Sequence, residues 1–199
     1  MRLILLRHGE TEWNREKRLQ GHDDTPLTER GIAQAKAIVP MIAQLKPAKV
    51  VASDLGRARQ TAAVIGHPDA ILDPNLRELN MGAWTGLRKP DLIRDSADLY
   101  HAWRAGTYAP EGGEMFGEFS ARIGKALRHW ATQSDDSVLC VVHSGVVRAA
   151  CHSLLGLEPK HLLPVTQGTL TIFHMEADRP AKLEAYNLGS FAPDKDVAD

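Results

Sequence analysis

The chain has 199 residues, enough to bury one core of ordinary size and suited to a single domain spanning 1–199. Its 24 Lys and Arg offset 25 Asp and Glu, and a formal charge of −1 excludes a global electrostatic footprint for nucleic acid or an anionic membrane surface. With 43% hydrophobic residues and its first apolar run confined to Leu3–Leu6, too short for a signal-peptide core or a membrane span, the composition reads as soluble and cytoplasmic. Cys140 lies in an apolar run and Cys151 in an expected helix. Both read as buried thiols rather than parts of a disulfide framework.

In chain order, Leu3–Leu6 is the first expected strand, short, aliphatic and bounded by polar residues. Thr28 is placed to cap a helix whose apolar residues Ile32, Ala35, Ile38, Val39, Ile42 and Leu45 recur every three or four positions. Pro40 is expected to kink or break it. Val50–Ala52 is a second strand, followed by a helix from about Arg57 through Thr61–Ile65. A third helix fits Phe116–Trp130, a third strand Val138–Val142, and a fourth helix Gly145–Leu155. Leu170–His174 and Leu183–Tyr186, separated by Arg179-Pro180, are expected to form a hairpin-like pair. The charged tail Ala192–Asp199 is expected to fray. This alternation predicts an α/β fold, a three-layer αβα sandwich around a mostly parallel sheet.

That fold turns the polar residues at the strand ends into a constellation. The first strand ends at Arg7-His8-Gly9, the second at Ser53-Asp54 just before Arg57, and the third at His143-Ser144-Gly145. Ligands of open parallel sheets bind beyond the carboxyl ends of the strands, so two arginines and two histidines are expected at one edge. The helix after Gly145 would aim its free N–H groups at the same place. So many potential cations repel one another unless an anion joins them. A phosphate dianion suits guanidinium forks, and a neutral imidazole held in line is a competent nucleophile at phosphorus.

Arg7-His8-Gly9-Glu10-Thr11 with Trp13-Asn14 resembles the signature of the histidine phosphatase superfamily, the phosphoglycerate mutase-like enzymes. The resemblance continues through Gln20-Gly21, Pro26–Gly31, Ser53–Ala62, Glu78, Gly82–Gly86, Gly112-Gly113-Glu114 and Val142–Arg148, in the family's order over nearly the whole chain. It implies that His8 is the nucleophile that becomes phosphohistidine, with Arg7, Arg57 and His143 clamping the transferred group. Asn14 and the backbone after His143, at Ser144, would add hydrogen bonds, and Gln20 and Gly21 would line the substrate pocket. Glu78 matches the proton donor, which would later activate water. No metal or other cofactor is implied, because arginines supply the charge that magnesium supplies elsewhere. Where many relatives carry Gly-Gly after the second histidine, this chain has Ser144-Gly145, which keeps the backbone N–H.

Residues 87–111 fall where the family forms a cap. The segment is short here, which favours a compact phosphatase acting on a small phosphorylated metabolite. The alternatives are a phosphoglycerate mutase and a non-catalytic phospholigand-binding module. A homodimer is left open by the apolar segment His161–Val165. Asp54 and Arg59 are expected to cap or brace a helix, and His22-Asp23-Asp24 to form a solvated loop rather than a metal cluster.

Overall fold

The computed structural model describes residues 1–134, 136–176 and 179–192. Its strands are β1 (Arg2–Arg7), β2 (Lys49–Ala52), β3 (Ile71–Leu72), β4 (Ser137–Val142), β5 (Leu170–His174) and β6 (Lys182–Leu188). They form one sheet in the order β3-β2-β4-β1-β5-β6. β3, β2, β4 and β1 run parallel to one another, whereas β5 is antiparallel to both β1 and β6. The late hairpin is therefore present, added to one edge of a parallel core.

Alternate residues of the central strands feed two separate apolar layers, as the period of two requires. Ile4, Leu6, Leu139 and Val141 pack with Ala35, Ile38 and Ile42 of α2 (Glu29–Leu45) and Ala58 and Ala62 of α3 (Gly56–Val64). Leu3, Leu5, Val138, Cys140 and Val142 face the other way. They meet Phe119, Ile123 and Leu127 of α5 (Phe116–Ala131) and Val146, Val147 and Ala150 of α6 (Ser144–Leu155). The sandwich has helices on both sides of the sheet, and β1 and β4, buried at both faces, form its centre.

Thr28 caps α2 as expected, its side chain accepting the Gly31 N–H. Pro40 does not break that helix, which is continuous to Leu45. Pro40 and Lys36, whose carbonyl loses its intrahelical partner, both lie on the exposed face, while Ala35, Ile38 and Ile42 keep the buried stripe intact. Cys140 and Cys151 are free and buried, and burial pushes both thiols up, that of Cys151 to about 12.

Two α-helices were not anticipated as such. A short α1 (Glu12–Arg15) follows β1, and α4 (Lys89–Ala105) occupies most of the 87–111 segment. α4 departs from helical geometry at Ser96, with φ −151° and ψ 48°, and buries Leu92, Tyr100 and Trp103. Trp84 packs edge-on against Trp103 at a centroid distance of 5.9 Å and lies 5.6 Å from the Tyr108 ring, which ties the segment to the main core. Among the described residues no helix is long and apolar enough to cross a membrane. The tail assigned to fray lies, beyond Ala192, outside the described residues.

Candidate active site

The carboxyl edge of the sheet gathers the predicted residues. β1 ends in Arg7 and passes directly to His8, β2 leads to Arg57 in the first turn of α3, and β4 leads to His143, the N-cap of α6. All four side chains are buried, Arg7 and Arg57 at 1% exposure. The His8 and His143 rings lie 5.2 Å apart in an edge-to-face arrangement. Arg57 Nε donates to His8 Nε2 at 3.3 Å.

The backbone around His8 is held from three sides. His8 N–H donates to Val142 O at 2.9 Å, Gly9 N–H to the Thr61 hydroxyl at 3.1 Å, and Gly168 N–H to Arg7 O at 3.1 Å. The turn can run there because Gly9 and Gly31 let backbone meet backbone. A Cβ at Gly9 would sit 2.3 Å from Gly31 O. Arg7 is anchored by its Nη1 on the Val165 carbonyl.

Glu78 follows the 3₁₀ turn Pro74–Leu76 and is 4% exposed. Its Oε1 accepts Leu79 N–H at 2.8 Å and its Oε2 accepts Gly145 N–H at 3.0 Å, in the first turn of α6. The Gly145 amide thus serves Glu78 in this structure, on the positive end of the helix. The Glu78 carbonyl accepts His22 Nε2–H at 2.9 Å, and Arg122, bonded bidentately to Glu114, holds the carbonyls of Asn75 and Arg77. The neighbouring Arg77 is taken bidentately by Asp54.

Of the remaining residues, Ser144 opens α6 and is buried. Gln20 donates its Nε2–H to the Thr11 hydroxyl, while its Oε1 is buried and has no hydrogen-bond partner among the described residues. Gly21, at φ 55°, offers its carbonyl to Arg57 Nη2 at 2.8 Å. Asn14 completes a capping box with Thr11, whose N–H and hydroxyl both donate to Asn14 Oδ1.

The role expected for Asp54 is corrected. It does not cap α3, whose N-cap Leu55 makes no side-chain bond, but pairs with Arg77. Asp24 supplies the missing cap from a distance, accepting the N–H groups of Gly56 and Arg57. From the sequence alone Asp24 belongs to a solvated loop. The adjacent Asp23-Asp24 run looks like ordinary surface, and only the fold shows that one carboxylate turns inward.

Electrostatics set the protonation of the two imidazoles. Burial first, then the charges of Arg57 and Arg7, hold His8 well below its ordinary 6.5, against a smaller opposing effect of the Gly9 carbonyl. Burial, then Arg57, His8, Arg7 and His22 do the same to His143. Both rings are therefore neutral at pH 7. His8 Nδ1–H donates to Gly9 O at 2.7 Å, which fixes the tautomer and leaves the lone pair on Nε2.

These shifts carry a stability prediction. Below pH 6.5 the unfolded chain takes up protons at both histidines that the folded chain refuses, so stability present above that pH is lost as pH falls. Each histidine contributes a slope of about 1.4 kcal/mol per pH unit over that window. The urea midpoint is expected to fall steadily between pH 7.5 and pH 5. A midpoint that stayed level would show that the folded protein protonates these rings freely.

Residues 3–188 match the family model described as histidine phosphatase superfamily (branch 1). The chain belongs to the histidine phosphatase superfamily. It is 36% identical over 169 residues to a glucosyl-3-phosphoglycerate phosphatase of Mycobacterium tuberculosis, covering 78% of this chain and 76% of that protein. It is 38% identical over 168 residues to a probable phosphoglycerate mutase of an Enterobacter species, covering 79% and 76%. Among solved structures it resembles a mycobacterial glucosyl-3-phosphoglycerate phosphatase complexed with VO3, with a TM-score of 0.86 and 30% identity over 94% of this chain and 99% of that one. A putative α-ribazole-5′-P phosphatase of Escherichia coli superposes with a TM-score of 0.81 at 29% identity, covering 96% and 99%. The phosphoglycerate mutase-like αβα sandwich of this superfamily is the fold described above.

Proposed function

We propose that the chain is a phosphoric monoester hydrolase that passes the phosphoryl group of a small metabolite to His8 and then to water. The observation that carries this reading is the pairing of two buried guanidiniums with two neutral imidazoles, one of which presents its lone pair on Nε2. Buried polar nitrogens left unpaired cost about 1–3 kcal/mol each. Both ring nitrogens of His143 make no hydrogen bond among the described residues, which suits a group that meets a phosphoryl oxygen.

In the first step His8 Nε2 forms a bond to phosphorus as the ester P–O bond breaks. The arriving phosphoryl oxygen takes over the Arg57 Nε–H that Nε2 accepts in this structure. Arg7, Arg57 and His143 stabilise the equatorial oxygens, and Glu78 as the acid hands a proton to the leaving alkoxide. In the second step Glu78, now a carboxylate, takes a proton from water as that water attacks the phosphohistidine. Inorganic phosphate leaves and both side chains return to their starting states. Gln20, Gly21, Asn14 and Ser144 are assigned to binding around this centre, and the 87–111 segment to a cap on a single domain.

The relatives point to substrates carrying phosphate on a sugar-acid or nucleoside-like skeleton. The test is a panel of esters: glucosyl-3-phosphoglycerate, α-ribazole phosphate, phosphoserine, nitrophenyl phosphate, and 3-phosphoglycerate with bisphosphoglycerate. Free phosphate and isomer formation are followed together, and phosphate release is expected to dominate. Isomer formation far exceeding phosphate release would replace hydrolysis with the mutase reading, which uses the same residues with water excluded.

A further inference from the structure

Arg57 makes more contacts than a phosphate clamp requires, and they are distributed unequally over its three nitrogens. Nε and Nη2 lie on one edge of the guanidinium plane and form a fork, while Nη1 lies outside that edge. The fork edge reaches His8 Nε2 at 3.3 Å and Gly21 O at 2.8 Å. Nη1 donates to Asp24 Oδ1 at 2.9 Å and to Asp23 O at 2.8 Å. The same Asp24 carboxylate accepts the N–H groups of Gly56 and Arg57 at the start of α3. Arg57 is 1% exposed and the Asp24 side chain 35%, so the carboxylate reaches from the surface onto a buried cation.

We infer that Asp24 is a positioning residue that grips Arg57 by Nη1 and turns its Nε–Nη2 fork toward the phosphoryl group on His8. This inference rests on the phosphatase reading above. Asp24 touches neither His8 nor a reacting atom and acts through Arg57. Among the described residues it is the carboxylate ion-paired with Arg57, and its charge is the largest influence opposing the effect of burial on that guanidinium. It also fastens the Gln20–Asp24 loop, with its two pocket residues, to the helix that carries Arg57. Loop and clamp are thereby held in one geometry, which is what in-line transfer demands.

The grip has two opposed electrostatic effects, and these make it testable. Asp24 aims the fork, which favours the transition state. It also places a negative charge near an incoming anion, which disfavours phosphate binding as such. Asp24→Asn removes the charge that holds Nη1 and keeps an oxygen for one of the two α3 amides, since Gly56 N–H bonds Oδ2 and Arg57 N–H bonds Oδ1.

The variant is compared with wild type for nitrophenyl phosphate turnover, thermal midpoint, and calorimetric binding of inorganic phosphate and of vanadate, whose trigonal-bipyramidal adducts mimic the transition state. The expected result is a fall in kcat/KM of about 10- to 100-fold with a comparable weakening of vanadate. Inorganic phosphate is expected to bind as well as before or more tightly, with the melting point lowered by no more than the loss of one such amide bond would cause. Unchanged turnover and vanadate binding would overturn the inference, as would an equal weakening of phosphate and vanadate, the mark of a merely structural loop. Should Asp24→Asn melt early, Asp24→Glu is measured beside it. Restored stability without restored vanadate discrimination supports the grip, and restoration of both in step refutes it. The two binding assays decide Asp24 even if no ester is turned over, whereas wild-type inertness toward every ester would sink the phosphatase reading alone.

Discussion

His8→Ala is expected to lose turnover by on the order of 10⁴-fold or more, for every ester and every leaving group alike. The reason lies in what the position supplies. The nucleophile's lone pair, its tautomer and its place between Arg57 and the edge of His143 are all set at one ring. No neighbouring group can stand in, because the second imidazole is held at a different strand end and its backbone leads into α6. The alanine variant should still fold, since the backbone of residue 8 is fixed by Val142 and by the 165–169 loop rather than by the ring. It should also still bind inorganic phosphate through Arg7, Arg57 and His143. Intact-mass analysis after an alkaline quench, which preserves the P–N bond, is expected to show one phosphoryl group on the wild type during turnover and none on the variant. Substantial turnover by His8→Ala, or a phosphoryl group found on it, would place the nucleophile elsewhere.

The geometry that supports this prediction was legible in the sequence where local pattern and fold rule agree. Aliphatic runs ending in Arg7-His8 and His143 could be placed as buried strands feeding one edge, because parallel strands lack the alternation that exposed strands show. The helices α2, α5 and α6 declared themselves by apolar spacing. The unpredicted α4 has a sparser stripe, Leu92, Tyr100 and Trp103, with a polar Ser96 at the turn between and a break in helical geometry at that residue. Its aromatic contacts with Trp84 decide its place, and those are long-range. β3 is two residues long, with both side chains exposed, so no periodicity could announce it. The brace contributed by Asp24 was illegible for a related reason. A carboxylate in an acidic loop has no local partner, and its partner Arg57 lies across the fold, which the chain order conceals.

Glu78→Gln is expected to divide the substrates by leaving group. Loss of a general acid should lower kcat/KM by about 10²- to 10⁴-fold for alkyl phosphates, whose alkoxides cannot depart unprotonated. For nitrophenyl phosphate the first step needs no proton, so kcat/KM should fall by only a few-fold. Steady turnover of that substrate should nevertheless slow, because the amide cannot take a proton from the attacking water. A burst of one nitrophenol per active site, with phosphohistidine accumulating on His8, is the expected signature. A Gly145→Ala variant offers an independent route to the same carboxylate, since its Cβ would lie 2.1 Å from Glu78 Oε1 and must drive the side chain from the first turn of α6. It should reproduce the leaving-group dependence while leaving the carboxylate chemically intact. If both variants lost activity equally for good and poor leaving groups, Glu78 would be a bystander seated on a helix amide, and the proton donor would have to be sought on another element facing His8.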